Sequence, residues 1–285
     1  MPKTHYTIPF FIPFRGCPNI CVFCDQNRIT GHEVSEEENI PQKIEKYLST
    51  MPASGARIEV GFFGGSFTGL PLAEQERLLE QVRPFREAGR VHGVRLSTRP
   101  DLIDGTKLDL LKGLGVSRIE LGVQSMSDEV LKAAKRGHTA GDTETASGLI
   151  LGSGIALGHQ IMVGLPGSGM EEEIYTARRV KELGADEVRI YPVIVIRGTE
   201  LADMWVMNRY KPLTLEEAID RSARLILYFD ANNVKVIRCG LHPSEGLISG
   251  EEYLAGPFHP AFGQKARERA YGDKDPNIQI PNSKQ

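Results

Sequence analysis

Hydrophobic and polar positions along the chain follow two alternating patterns. Short runs rich in β-branched and aromatic residues recur along the chain, and longer stretches with apolar residues at helical spacing lie between them. This alternation is typical of a parallel α/β fold. The predicted strands are residues 6–12, 58–63, 91–96, 118–122, 155–162 and 188–196.

The helical stretches carry both amphipathic spacing and residues suited to helix starts. Residues 71–85 and 214–229 each place apolar side chains on one helical face. Pro71 suits a first helical turn, and acidic residues follow Ser127 and Thr214. Six strand–helix units are too few to close an eightfold barrel, so the pattern predicts an α/β fold of the partial (β/α)6 TIM type. We expect one domain, with a barrel core over residues 5–235 and a short C-terminal cap over residues 236–285.

Composition and charge narrow the class of protein. The chain has 285 residues, of which 40% are hydrophobic and 25% charged, so a large core is possible. Lys and Arg total 34 against 37 Asp and Glu, which gives a net charge of −3. That balance excludes a generally basic nucleic-acid binder but allows a local basic groove. Proline and glycine interrupt the apolar stretches well before the roughly 18 residues of a spanning helix. We therefore expect a cytoplasmic protein without a membrane segment.

The four cysteines are distributed unevenly. Cys17, Cys21 and Cys24 fall within eight residues, whereas Cys239 lies 215 residues further on. A disulfide framework would use a dispersed set, so the cluster indicates a metal site in a reducing compartment. Three thiolates in one loop can ligate three irons of a cubane cluster, which leaves a fourth iron open for chemistry.

Two other interpretations of the cysteine loop stay open at this point. A structural zinc needs four ligands, and His5, His32, Asp25 or Cys239 would have to complete the set without the usual spacing. A redox dithiol formed by Cys21 and Cys24 would leave Cys17 unexplained.

The C-x3-C-x2-C spacing, with Phe23 before the last cysteine and a predicted strand before the loop, resembles the motif of the radical S-adenosylmethionine (radical SAM) superfamily. The resemblance implies that Cys17, Cys21 and Cys24 hold a [4Fe-4S] cluster and that Phe23 lies at the cofactor. It implies S-adenosylmethionine as the second cofactor, with its methionine group on the fourth iron. An electron from a reductant such as flavodoxin or ferredoxin would then produce a 5′-deoxyadenosyl radical.

Polar and glycine-rich motifs follow the next strands, where a parallel α/β fold builds its active site. They are residues 64–68, 98–101, 120–125, 136–139 and 164–167. Together with residues 190–199, they resemble the branch of the superfamily that contains the catalytic subunit of the Elongator complex and oxygen-independent coproporphyrinogen oxidase, and they favour the Elongator side.

That resemblance implies roles for the strand-end residues. Gly64, Gly65 and Ser66 would hold the amino group of the methionine moiety, and two glycines would let the backbone come close to it. Gln124 and Arg136 would contact the nucleoside or the carboxylate of S-adenosylmethionine. Two residues depart from the pattern and are also assigned to the cofactor site: Ser97 stands where Glu is usual, and Gln160 where Asp is frequent.

Other departures concern the reaction. The Elongator subunit has wider cysteine spacing, a basic tRNA-binding extension and an acetyltransferase domain. The residues after the predicted barrel are too few for an acetyl-coenzyme-A-binding domain of ordinary size. We therefore expect radical chemistry without acetyl transfer.

Several residues outside these motifs are candidates for substrate contact. His242, Glu245 and His259 lie among glycines and prolines, as in a lid over the barrel or in ordinary surface turns. Stacking or anion contacts to RNA could come from Tyr191, Arg197, Arg209 and Tyr210, which could equally be packing residues and solvated charges. Cys239 is either a small buried side chain or a thiol that relays a radical.

The sequence thus predicts a radical SAM enzyme whose substrate is RNA or a small molecule, with tRNA modification as the leading hypothesis. The first alternative is porphyrin chemistry of the coproporphyrinogen oxidase type. The second is a non-catalytic iron–sulfur or zinc binding module.

Overall fold

The structure is a computed structural model, and it describes residues 5–12, 14–26, 28, 39–51 and 55–272. Seven parallel strands form one curled sheet in the order β1-β2-β3-β4-β5-β6-β8, and β7 and β9 pair antiparallel beside it. The strands are β1 His5–Ile12, β2 Arg57–Gly64, β3 Gly93–Thr98, β4 Val116–Gln124, β5 Ala156–Val163, β6 Glu187–Pro192, β7 Val195–Ile196, β8 Lys235–Cys239 and β9 Tyr253–Ala255.

Helices lie between successive strands of the seven-stranded sheet, as in a barrel of βα units. They are α1 Ile40–Leu48, α2 Leu72–Glu80, α3 Arg83–Glu87, α4 Gly105–Gly113, α5 Asp128–Ala133, α6 Ala140–Ser153, α7 Met170–Glu182, α8 Glu200–Val206, α9 Leu215–Ala231, α10 Glu245–Ser249 and α11 Phe262–Tyr271. Local chemistry sets several starts: Thr214 and Glu217 form a capping box at α9, and the Ser127 side chain accepts from the N–H of Val130 at α5.

The expected partial barrel of parallel strands is confirmed, with two differences. The last predicted strand ends at Pro192, and residues 195–196 belong to the β7–β9 ribbon instead. A further parallel strand, β8, lies beside β6 and crosses the predicted boundary at residue 235. Lys235 and Arg238 interrupt the apolar pattern of β8, which is why hydrophobic periodicity alone does not reveal it.

The predicted helix over residues 71–85 is divided into α2 and α3 by a break after Glu80. Pro84 lies in the first turn of α3, where its missing N–H costs no helical hydrogen bond. In the described part of the chain, no helix combines the length and apolar character needed to cross a membrane.

The main core lies between the sheet and the outer helices, with Phe62, Leu96 and Phe229 among its fully buried side chains. A second apolar cluster surrounds the cysteine loop and includes Val22, Leu165 and Leu201. This second cluster fixes the loop against the segments that follow β4, β5 and β6, so packing brings separate motifs together at one end of the barrel.

Candidate active site

A cavity of about 1490 Å³ lies on the concave side of the half-barrel. All of the residues that the sequence assigned to cofactor binding line it: Phe23, Gly64, Gly65, Ser66, Ser97, Gln124, Arg136 and Gln160. Cys17 and Cys24 line the same cavity, and Cys21 is buried behind its surface. The fold therefore brings together motifs that lie far apart in the sequence.

The cysteine loop begins with a tight turn after β1. Phe14 and Gly16 both have positive φ, of 56° and 73°, and the N–H of Cys17 donates to the carbonyl of Phe14 at 3.2 Å. Further along, the N–H of Val22 donates to Ala134, and the carbonyl of Val22 accepts from Leu201 at 2.7 Å. Backbone hydrogen bonds from two other segments thus hold the loop in place.

Each cysteine has a different polar environment. Cys17 Sγ lies 3.3 Å from Ser66 Oγ, and Arg136 Nη1 donates to Cys21 Sγ at 3.0 Å. Burial, followed by the neighbouring Cys21, raises the pKa of the Cys24 thiol to about 12, although Arg136 lowers it. A thiolate at Cys24 therefore needs a strong positive partner, which an iron ion supplies.

The glycine pair after β2 packs directly on the cysteine loop. The N–H of Ser66 donates to the carbonyl of Arg15 at 2.9 Å. A Cβ atom at Gly65 would overlap the carbonyl oxygens of Arg15 and Ile12, and Gly64 has a φ of 100°. Only glycine permits this close approach of two backbones.

Gln124 ends β4, Arg136 follows α5, and both have features of a ligand site. Gln124 is a buried non-glycine residue with a φ of 65°, and its Oε1 has no hydrogen-bond partner within the described residues. Arg136 donates from Nη2 to the carbonyl of Gly122 at 2.7 Å, and the backbone carbonyl of Arg136 accepts from Arg99. The positive φ of Gln124 and its buried, unpaired amide oxygen together indicate a site where a ligand would supply the missing hydrogen bond.

A charged network that the sequence analysis missed contributes Arg95, Arg189 and Gln160 to the lining of the cavity. Glu120 is 1% exposed and accepts from Arg95 Nε at 2.9 Å and from Arg189 Nη2 at 3.0 Å. Gln160 donates from Nε2 to Ser97 Oγ at 2.8 Å and to Glu120 at 3.1 Å. The sequence pattern that could have revealed this network is the presence of charged residues at alternate positions in otherwise apolar strands. Residues at alternate positions of a strand share one face of the sheet.

The remaining candidates are divided between the cavity and the rest of the fold. Tyr191 and His242 line the cavity. Tyr210 donates to the carbonyl of Gly164, Arg197 and Arg209 are exposed, and His259 accepts from Ala261 in a local turn. The candidates that do not line the cavity are Arg197, Arg209, Tyr210, Glu245 and His259.

Cys239 lies away from the cavity, on the side of β8 that packs on the main core. Burial raises the pKa of its thiol to about 11, although the neighbouring Ser222 lowers it. Its position is that of a small core side chain, which favours the first of the two interpretations of this residue.

A single metal ion and an iron–sulfur cluster need different arrangements of donor atoms. Among the residues that the structure describes, no three His, Cys, Asp or Glu side chains converge on a common metal position. His5 contacts Glu59 at 2.8 Å and Asp25 pairs with Arg28 at 3.0 Å, while His32 lies outside the described residues. Cubane ligands bind separate irons and need no such convergence, so three thiols at one cavity fit a [4Fe-4S] cluster.

Comparison with known families agrees with this geometry. Residues 11–180 match the family model of the radical SAM superfamily. The chain belongs to the radical SAM superfamily. Residues 185–271 match a second model, the radical SAM C-terminal domain. Radical SAM proteins use a [4Fe-4S] cluster and S-adenosylmethionine, so these are its cofactors, and the chain is an enzyme. The non-catalytic module is thereby excluded.

Curated relatives of this radical SAM enzyme include tRNA-modifying proteins. A tRNA uridine(34) acetyltransferase from Methanocaldococcus infernus is 31% identical, over 72% of this chain and 46% of the relative. Elongator complex protein 3 from Saccharomyces cerevisiae is 26% identical, over 73% of this chain and 44% of the relative. The radical SAM chain thus spans less than half the length of these relatives.

Solved structures share the fold of this radical SAM chain. The archaeal Elp3 of Methanocaldococcus infernus superposes with a TM-score of 0.70 at 23% identity, covering 93% of this chain and 62% of that one. Coproporphyrinogen III oxidase from Escherichia coli superposes with a TM-score of 0.55 at 20% identity, covering 81% of this chain and 53% of that one. At these identities, the likeness concerns the fold alone.

Proposed function

We propose that this radical SAM enzyme generates a 5′-deoxyadenosyl radical and uses it to abstract hydrogen from an RNA nucleotide during tRNA modification. The observation that carries the proposal is the meeting of the three cysteines, the glycine pair and the Gln124–Arg136 site at one cavity. The choice of RNA rests on curated relatives that are named for acting on uridine 34 of tRNA.

In this proposal, Cys17, Cys21 and Cys24 hold the cluster, and a flavodoxin or ferredoxin supplies its electron. When bound, the cluster supplies the single electron that divides S-adenosylmethionine into methionine and a 5′-deoxyadenosyl radical. The buried position of Cys21 and the apolar cluster around it shield the sulfur atom of Cys21 from water.

The surrounding residues orient the second cofactor. The backbone at Gly64 and Gly65 and the hydroxyl of Ser66 are exposed to the cavity beside Cys17, where they can accept hydrogen bonds from an ammonium group. The guanidinium of Arg136 offers a positive charge to a carboxylate, and the unpaired Oε1 of Gln124 accepts from a nucleoside hydroxyl or amine. Phe23 supplies an apolar surface at the same place, and Ser97 with Gln160 supplies neutral hydrogen-bonding groups beneath it.

The test is anaerobic reconstitution with iron, sulfide and a reductant, followed by quantification of 5′-deoxyadenosine. We expect about four irons per chain, with loss of both iron and product in Cys17→Ala, Cys21→Ala and Cys24→Ala. Cys239→Ala is the matched control and should retain both. Retained product in the three variants, or one zinc and no iron per chain, would contradict the proposal.

The substrate is tested separately on the active enzyme. Nucleosides of tRNA incubated with enzyme, S-adenosylmethionine and reductant should change mass, and the change should disappear without reductant. Turnover of a porphyrinogen with unchanged tRNA would instead support the porphyrin alternative.

A further inference from the structure

We propose that Arg238, together with Arg189, forms a subsite that binds an oxyanion group of the substrate, either a phosphate or a carboxylate. The subsite lies on β6 and β8, at the far end of the sheet order from β1 and its cysteine loop. The proposal rests on the proposed function, because it assigns a place for the substrate in the same cavity.

The arginines that line the cavity differ in whether a carboxylate balances their charge. Three of the arginines that line the cavity have carboxylate partners: Arg95 pairs with three glutamates, Arg99 with Asp101 and Arg189 with Glu120. Arg136 contacts Cys21 and serves the cofactor side. Arg238 is half-buried, and within the described residues its guanidinium donates only to the carbonyl of Gly240, at 3.1 Å, and has no carboxylate within 4.0 Å. A half-buried guanidinium without a counter-charge favours an anionic ligand.

The register of β6 and β8 brings two arginines together. Arg189 and Arg238 are direct partners across β6 and β8, and both line the cavity. Gln160 is the partner of Arg189 on β5, so the same row continues with an amide. Side chains that are partners in a parallel pair project from the same face, which places two guanidinium groups side by side.

Arg189 is held in one orientation by its neighbours. Its Nε and Nη2 both donate to Glu120, and its guanidinium lies 5.2 Å from the ring centroid of Phe63. A guanidinium that is already held in one orientation loses little conformational entropy when it binds a planar or tetrahedral oxyanion. Glu120 also pairs with Arg95, so its negative charge is divided between Arg95 and Arg189. The pair formed by Arg189 and Arg238 therefore keeps a net positive charge.

The remaining lining also favours an anion. Glu187 is the one carboxylate among the residues that line the cavity in the described part of the chain, and it is already paired with Arg95 and Arg118. Lys235, at the exposed start of β8, extends the positive charge along the same wall. A nucleotide phosphate and the carboxylate of a small acid present the same chemistry to this wall, and the experiment distinguishes them.

The experiment measures binding without turnover. Wild type, Arg238→Gln and Arg238→Lys are reconstituted with the cluster, saturated with S-adenosylmethionine and kept without reductant. The probes are a fluorescein-labelled RNA hairpin and a porphyrin tetracarboxylate. Arg224→Gln is the matched control, since it removes the same charge from the exposed outer face of α9.

We expect Arg238→Gln to bind the probe that wild type binds with an affinity lower by about tenfold or more, because a charge-assisted hydrogen bond is lost. Arg238→Lys should weaken it less, and Arg224→Gln should match wild type. For the RNA probe, the slope of log affinity against log salt should fall by about 0.7 to 0.9, the value for one phosphate contact. Iron content and S-adenosylmethionine affinity should stay unchanged in all variants.

If Arg238→Gln loses affinity for the hairpin alone, the ligand of the subsite is a phosphate. If it loses affinity for the porphyrin alone, the ligand is a carboxylate. If Arg238→Gln binds both probes as well as Arg224→Gln does, or if wild type binds neither, the subsite is refuted. Production of 5′-deoxyadenosine by wild type is scored separately, so the radical function can stand when the subsite fails. Absence of that product refutes the function and leaves the binding result to decide the subsite.

Discussion

Arg136 Nη1 donates to Cys21 Sγ at 3.0 Å, and the same guanidinium donates from Nη2 to the carbonyl of Gly122 at 2.7 Å. One side chain therefore connects the cysteine loop to the end of β4. Arg99 in turn donates to the backbone carbonyl of Arg136, which fixes the segment that carries it. The cluster side and the cofactor side of the cavity are coupled through this residue.

This coupling predicts that Arg136→Gln weakens S-adenosylmethionine binding. Loss of a charged hydrogen bond to a carboxylate costs about 1.5–3 kcal/mol, or roughly tenfold to hundredfold in affinity. Equilibrium dialysis of the reconstituted enzyme measures it, with Arg224→Gln as the control of equal charge. Unchanged affinity would show that Arg136 serves only the structure of the loop.

Gly65→Ala should displace the cysteine loop. The new Cβ would meet backbone oxygens of Arg15 and Ile12, which cannot rotate away, so we expect a loss of about 1–3 kcal/mol in unfolding free energy and lower iron retention. Gly148→Ala in α6 meets no atom and should instead add about 0.5–1 kcal/mol. Urea unfolding and iron analysis of both variants compare the two; equal stability would contradict the close packing.

Gln124→Gly should affect stability and binding in opposite directions. Glycine relieves the positive φ and should raise the stability of the cofactor-free protein by up to about 1 kcal/mol, whereas loss of the amide should weaken S-adenosylmethionine binding. Asn208→Gly, at another positive φ and on the surface, should change stability without changing binding. A large loss of stability in Gln124→Gly would indicate a structural amide instead.

Glu120→Gln should be strongly destabilising. Burial raises the pKa of Glu120, but Arg189 and Arg95 outweigh that effect and lower the pKa, so the residue is ionised between two cations. Removing its charge leaves Arg189 without a carboxylate partner among the described residues, while Arg95 keeps Glu59 and Glu187, and the expected cost is about 3–5 kcal/mol. Thermal unfolding measures the loss, and the exposed Glu171→Gln should change stability by less than about 0.5 kcal/mol.

Glu173 should make stability fall as pH rises. Burial raises its pKa to about 6 from a usual value of 4.5, although the Gly164 N–H and Arg221 lower it. The folded state therefore binds the proton more tightly, and wild type should lose about 2 kcal/mol as pH rises from below 4.5 through 6. Glu173→Gln keeps an acceptor for Gly164 and should lack this loss. Urea midpoints at pH 5.0 and 7.5 test it; parallel pH profiles of the two proteins would refute it.

Much of the site could be predicted from the sequence because its chemistry is local. The spacing of Cys17, Cys21 and Cys24 places three thiols in one loop, and polar residues directly after apolar strands lie at one edge of a parallel sheet. Helix starts such as Thr214 with Glu217 are local as well, since both partners of the capping box lie within four residues.

The sequence by itself therefore determined the class of fold, the cysteine loop and the residues around it. Only the tertiary structure decided that Arg189 and Arg238 stand side by side, that Glu120 unites Arg95, Arg189 and Gln160, and that Cys239 faces the core. The physical reason is that these relationships depend on register between strands distant in the chain, and a shift of one residue would turn each side chain to the opposite face.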